Sequence, residues 1–193
     1  VFSSIFESGS GVMEYATPVE SMDAQSDDIK KGSYEQDQQQ LVEAQERVEE
    51  LIAVNELENQ LETQMTSEGL LITIRDSVLF APGSADINPE YGNVASELSD
   101  ILAFNPARNV VITGHTDNVP ISTSRFASNN ELSSARAISV FNYLLSVTNL
   151  DPAHIKNAGR GEYVPIADNA TEEGRQKNRR VEIRIYNEIS SQN

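Results

Sequence analysis

The sequence predicts an α/β fold in two layers, a mixed β-sheet with helices on one face, preceded by a long helix and an acidic linker. Three observations lead to this prediction. From residue 67 onward, short runs of β-branched residues alternate with longer segments that carry a helical apolar stripe. Residues 34–66 are rich in Glu and Gln and contain neither Gly nor Pro. Acidic residues are concentrated in the first third of the chain.

Charge and composition restrict the possible functions. The 193 residues carry a formal net charge of −16, and residues 1–66 contribute −12 of it through 15 acidic and 3 basic side chains. Nucleic acids and anionic lipids repel such a chain, so we expect neither as a partner. The absence of cysteine excludes disulfides and thiolate metal sites. No apolar run is long enough to span a membrane, and we expect a membrane or targeting segment ahead of Val1.

The first third divides into three predicted segments. Residues 1–15 form an amphipathic segment, because the four large apolar residues up to Phe6 can share a helical face; a frayed chain end is the alternative. The polar, acidic composition of residues 16–33 predicts a flexible linker. Residues 34–66 form a long amphipathic helix with a narrow apolar stripe. That stripe should pair with a partner helix, giving a dimer, or lie along the following domain.

Residues 67–188 form the predicted domain, followed by a disordered tail at 189–193. Its strands are recognised as β-branched runs, of which the last alternates cleanly between apolar and polar residues. The predicted strands are 69–75, 109–113, 154–158 and 180–186.

Two helices separate these strands. The first begins at Asn88-Pro89, where Pro occupies the first helical position, and ends before Asn105-Pro106. The second covers residues 130–146 and has apolar residues along one side. The resulting order is β-α-β-α-β-β.

One polar cluster follows the second strand, in the segment Thr113-Gly-His-Thr-Asp-Asn118. Loops at strand ends are where α/β folds place ligand contacts. His115 and Asp117, together with His154, could hold a metal ion and act as a metal-dependent hydrolase. The alternative is that Asp117 and Asn118 make turn hydrogen bonds while His115 packs at the strand edge. No ligand-spacing motif supports the metal site.

Two further clusters are basic. Arg136 lies early in the second helix, where a cation opposes the helix dipole, so it is placed to bind a carboxylate or to pair with Glu131 or Asp117. The segment Arg175–Arg180 could receive an anion or could be a solvated loop. There is no nucleophile elbow, phosphate-binding glycine loop or zinc-binding helix, so we expect a non-catalytic protein without a cofactor.

Four motifs in this order resemble the OmpA-like peptidoglycan-binding family across residues 69–186. They are Thr113-Gly-His-Thr-Asp117, Leu132-Ser-Ser-Ala-Arg-Ala137, Gly159-Arg-Gly-Glu162 with Pro165, and Asn178-Arg-Arg-Val-Glu-Ile183. Within the family, the loop Asn118-Val-Pro-Ile121 and the segment Ser77–Ala85 resemble flagellar stator B-subunits of the MotB or MotS type. The segment at 77–85 has Ala81 where many outer-membrane members have Asp.

The resemblance implies a cell-wall anchor that binds the diaminopimelate of the peptidoglycan stem peptide. By motif position, Asp117 pairs with the ammonium group and Arg136 with the carboxylate. Thr116, Asn129 and Arg179 make secondary contacts. Arg180, also from these motifs, supports the fold or the acidic patch.

The resemblance also implies a homodimer on the outer side of the cytoplasmic membrane. A transmembrane helix outside this sequence would join it to the stator A-subunit, and residues 1–15 would be a plug that restrains ion flow. An envelope tether of the OmpA or Pal type is the alternative.

Overall fold

The computed structural model describes residues 20–148 and 150–188, with side chains from residue 31 onward. The predicted plug at 1–15, the start of the predicted linker at 16–19 and the tail at 189–193 lie outside the described residues. The chain divides into two units, Val1–Glu35 and Gln36–Asn193. The second unit contains the sheet, the hydrophobic core and the candidate site.

Five strands form one mixed sheet in the order β1-β2-β5-β3-β4. Strands β3 and β4 run parallel, whereas β1–β2, β2–β5 and β3–β5 are antiparallel pairs. The strands are β1 (Leu61–Thr66), β2 (Gly69–Arg75), β3 (Val110–His115), β4 (Ile155–Gly159) and β5 (Arg180–Tyr186).

Five α-helices accompany the sheet within the described residues. They are α1 (Glu20–Val54), α2 (Asp76–Leu79), α3 (Gly92–Leu102), α4 (Asn129–Val147) and α5 (Glu172–Asn178), with 3₁₀ turns at Pro89–Tyr91 and Pro152–His154. None of the helices described here has the length and apolar composition needed to cross a bilayer. The two-layer fold with helices on one face is confirmed: alternate residues of β2 and β5 enter one core, and α1, α3 and α4 all contribute to it.

The long helix differs from its prediction at both ends. It includes residues 20–33, which were predicted as linker, because the stretch after Pro18 has a single glycine and many good helix formers. It ends at Val54, and Glu56 then adopts the left-handed conformation with φ 56°. Residues 61–66 are strand β1 instead of helix, since pairing with β2 directs Leu61 to the core and leaves Glu62 exposed. The domain therefore starts before residue 67.

The apolar stripe of α1 lies along the domain, the second of the two alternatives for it. Leu41, Ala44, Val48 and Leu51 are buried in the same core as the inward residues of the sheet. Near the start of this stretch, Asp37 forms a buried ion pair with Arg108, which precedes β3. The stretch of α1 from residue 36 to 54 is therefore an integral part of the domain.

Helix α4 approaches β3 and β4 closely because small residues line the contact. A Cβ atom on Gly114 of β3 would lie 2.1 Å from the Ser133 carbonyl oxygen of α4, and one on Gly159 would lie 2.1 Å from Ser134 Oγ. Only glycine allows this spacing. The first turns of α4 are consequently held against the end of β3, where the polar segment 113–118 begins.

Candidate functional site

A cavity of about 540 Å³ opens where the ends of β2, β3 and α5 meet the first turns of α4. One wall is charged and consists of Asp76, Asp117, Arg136 and Arg179. A second group of lining residues, the apolar wall, includes Phe80, Pro82, Val119, Pro120 and Ile121. Thr116 and Asn129 also line the cavity, so all five residues predicted to form a site are brought together.

Asp117 is held at the end of β3 by its neighbours. The preceding residue, Thr116, donates its backbone N–H to the carbonyl of Gly161, which fixes the strand end. The Asp117 carboxylate accepts a hydrogen bond from the backbone N–H of Val119 at 3.0 Å and forms an ion pair with Arg179 at 2.5 Å. Because Asp117 is only 6% exposed, its carboxylate has little access to water other than through the cavity.

Arg136 is buried at the base of the cavity with an exposure of 2%. Its Nη1 donates to the carboxylate of Asp76 at 2.9 Å, its Nε donates to the carbonyl of Ser84 at 2.9 Å, and its guanidinium lies 5.1 Å from the centre of the Phe80 ring. Nη2 has no partner among the described residues. Neither of the predicted partners, Glu131 and Asp117, is bonded to Arg136. Asp76 was not among the predicted site residues, although its position directly after a predicted strand was a signal for it.

The four charges alternate around the cavity. Asp76 also lies 3.9 Å from Arg179, so each arginine has an acidic neighbour. Burial raises the pKa of Asp76, against the opposing effect of the two arginines. Burial likewise lowers the pKa of Arg136, and Asp76 counteracts that shift. For Arg179, burial acts to lower the pKa, but its bonds to Asp117 and Glu172 raise it. Two carboxylates and two guanidinium groups thus make the cavity electrically neutral overall.

The remaining predicted residues have distinct surroundings. Thr116 is 5% exposed and its hydroxyl has no partner among residues 20–148 and 150–188. The side chain of Asn129 donates to the carbonyl of Val119 at 3.0 Å and to the Glu162 carboxylate at 2.6 Å. Asn129 therefore joins the loops on either side of the cavity. Glu162 belongs to one of the recognised motifs but was not predicted as a site residue.

The basic segment 175–180 is divided between the site and the fold. Arg175 pairs with Glu172 at 2.7 Å on α5, and Arg179 enters the cavity. Arg180 is 1% exposed and bonds to Glu182, to the carbonyl of Asn178 and to the carbonyl of Val164. Arg180 is thus a structural residue, as the motif position implied.

The geometry contradicts the alternative metal site. His154 bonds to Asn109 at the start of β3, whereas His115 is the last residue of that strand. At about 3.3 Å per residue, the two histidines are separated by roughly 20 Å. The described residues contain no cluster of three or more His, Asp or Glu side chains suited to a metal ion. The pair of histidines was misleading because sequence alone did not show that His115 ends β3, whereas His154 precedes β4 near the start of β3.

Comparison with known proteins gives consistent results. The model of the OmpA family matches residues 79–179. Motility protein B of Bacillus subtilis is 44% identical over 95% of this chain and 76% of that protein. The crystal structure of a MotB-like protein from Desulfovibrio vulgaris superposes with a TM-score of 0.71 at 29% identity, covering 82% of this chain and 99% of that one. The cell wall anchor of the T6SS from Pseudomonas aeruginosa has a TM-score of 0.66 at 35% identity, covering 74% and 98% respectively.

Proposed function

Because this chain belongs to the OmpA family and is a relative of motility protein B, we propose that it anchors a flagellar motor stator to peptidoglycan. The proposal is for binding and involves no chemical reaction. One structural relative, from Pseudomonas aeruginosa, is itself described as a cell wall anchor, which supports the proposal. The observation that carries it is the neutral cavity, in which two carboxylates alternate with two guanidinium groups.

The ligand that suits such a cavity is a zwitterion. The diaminopimelate residue of the stem peptide ends in an ammonium and a carboxylate on the same carbon. In the proposed complex, Asp117 accepts from the ammonium and Arg136 donates to the carboxylate through Nη2, while Arg136 keeps its bond to Asp76. Charge-assisted hydrogen bonds of this kind contribute about 1.5–3 kcal/mol each.

The apolar wall suits the rest of the same side chain. Val119, Pro120 and Ile121 line the same cavity as the four charged residues, together with Phe80. A methylene stem leading to a zwitterionic end would contact these side chains while its charged groups reach Asp117 and Arg136. Thr116, with its unpartnered hydroxyl, and Arg179 are proposed as secondary contacts, and Asn129 as a residue that holds the loops in place.

The partners and location are also part of the proposal. We place the domain on the outer side of the cytoplasmic membrane, as a homodimer joined to a stator A-subunit through a transmembrane helix outside this sequence. The apolar stripe of α1 does not support the dimer, because Leu41, Ala44, Val48 and Leu51 are buried within their own chain. A dimer would therefore use another surface.

Purified cell-wall sacculi provide the test. We expect Asp117→Asn and Arg136→Lys each to weaken co-sedimentation of the protein with sacculi by tenfold or more, the effect of losing about 1.4 kcal/mol. Arg136→Lys keeps the charge but loses the geometry of the guanidinium group. The matched control is Arg125→Gln, which removes an exposed arginine paired with Asp86 outside the cavity.

Circular dichroism and thermal melting would verify that each variant is folded. Binding by both folded site variants at the level of the Arg125→Gln control would overturn the assignment of the site.

A further inference from the structure

Asp76 is a buried carboxylate located between the two arginines of the cavity. It follows β2 directly, is 9% exposed, and its backbone N–H donates to the carbonyl of Arg179 at 3.0 Å. Its side chain accepts from Arg136 at 2.9 Å and lies 3.9 Å from Arg179. These contacts join the end of β2 to both arginines.

The charge balance of the cavity depends on this residue. Without Asp76, Asp117 would be the single carboxylate facing two guanidinium groups on the charged wall. Glu172 also contacts Arg179, but it does not line the cavity and is shared with Arg175. The cavity would therefore have a net charge of about +1 if Asp76 were neutral, and a site of that charge favours anions.

We propose that Asp76 is the residue that determines ligand charge at this site: it makes the cavity select a zwitterionic end over a plain carboxylate. This inference rests on the proposed function and extends it to ligand selectivity. In the proposed complex, Asp76 acts through its contacts with Arg136 and Arg179, so it is a positioning residue. It orients the Arg136 guanidinium and also cancels one of the two positive charges.

The electrostatic reason is simple. A dicarboxylate offers no ammonium to Asp117, so that carboxylate repels it, and Asp76 adds a second repulsion because it lies between the two arginines of the cavity. At an effective dielectric constant of about 20, two like charges within roughly 6 Å repel each other strongly enough to alter relative affinity by more than tenfold. Loss of Asp76 should therefore favour the dicarboxylate specifically.

Two probes with the same seven-carbon chain make the test. Diaminopimelate has zwitterionic ends, whereas pimelate has the carboxylates alone, and the affinity of each is measured by calorimetry. We expect the wild-type protein to prefer diaminopimelate and Asp76→Asn to reduce that preference at least about tenfold, through tighter binding of pimelate. The matched control is Asp37→Asn, since Asp37 is also buried and paired with an arginine, Arg108, but does not line the cavity.

A rescue distinguishes charge from a merely structural role. Ala81 lines the same cavity, so the double variant Asp76→Asn/Ala81→Asp restores a carboxylate from another position. We expect it to recover most of the lost preference, and Ala81→Asp alone to weaken pimelate binding further. The single Ala81→Asp variant leaves Asp76 intact and so tests the idea even where Asp76→Asn fails to fold.

The outcomes separate the two proposals. Wild-type protein that does not bind diaminopimelate would overturn the proposed function. If the wild-type protein binds diaminopimelate, two results would overturn the role of Asp76 alone. One is a folded Asp76→Asn variant with an unchanged preference for diaminopimelate over pimelate. The other is an Ala81→Asp variant with unchanged affinity for pimelate.

Discussion

At the scale of single residues, the strand end that carries Asp117 also buries His115, 3.7 Å from Glu182 on the neighbouring strand. Burial by itself would raise the pKa of Glu182. The His115 imidazole and the Arg180 guanidinium outweigh that effect and lower the pKa from 4.5 to about 2. Glu182 is therefore ionised where it contacts His115 and Arg180, next to the strand end that carries Asp117.

This pKa predicts a specific acid sensitivity. Because the folded-state pKa lies below the unfolded one, the stabilisation by Glu182 is present above pH 4.5 and is lost as the pH falls towards 2. The free energy of unfolding of the wild-type protein should fall by up to about 3 kcal/mol over that range through Glu182. We expect Glu182→Gln to remove this part of the decline. Urea denaturation at a series of pH values measures it, and parallel curves for the two proteins would contradict the prediction.

The sequence pattern predicted residues that line the cavity better than it predicted their contacts. Asp117 and Arg136 were both predicted, because their types and positions at a strand end and a helix start are readable from local pattern. Their partners were not predicted, because Arg136 bonds to Asp76, 60 positions earlier in the chain. A contact of that separation depends on the order of strands in the sheet, which local periodicity does not reveal.

At the scale of elements, α1 contributes one face to the core of the domain. Leu41 is fully buried, whereas Val42, the next residue, is 44% exposed. We expect Leu41→Ala to reduce the free energy of unfolding by about 2–5 kcal/mol and Val42→Ala by no more than about 0.5 kcal/mol. Chemical denaturation tests both, and equal effects would mean that α1 does not belong to the cooperative unit.

The contact between α4 and β3 determines the distance between Arg136 and Asp117. Gly114→Ala would place a methyl group against the Ser133 carbonyl, so α4 must move away from the strand. We expect a loss of stability of about 1–3 kcal/mol together with weaker binding to sacculi. Gly32→Ala in α1 is the control, because nothing lies within 4 Å of its new Cβ. Unchanged sacculus binding by Gly114→Ala would show that the spacing is not critical.

Most elements were predictable because their patterns are local. The four predicted strands and both domain helices are present, with small differences at their ends. Strand β1 was missed because Leu61 and Met65 continue the helical stripe of α1, and the strand forms through its pairing with β2. The apolar residues at 61–66 fit a helical pattern, but their pairing with β2 in the sheet decides their conformation.

At the scale of the whole molecule, the charge of −16 and the neutral cavity have different roles. The negative charge disfavours polyanionic partners. We propose that recognition, in contrast, depends on four charges in one cavity at the ends of β2 and β3, beside the first turns of α4. We therefore propose that the cavity binds the zwitterionic end of a stem-peptide side chain.

The most direct test is a crystal structure of this domain with bound diaminopimelate. We expect the ligand ammonium at about 2.7–2.9 Å from the Asp117 carboxylate and the ligand carboxylate at a similar distance from Arg136, with Asp76 still bonded to Arg136. A ligand bound outside this cavity, or bound within it without contact to Asp117 and Arg136, would contradict the claim.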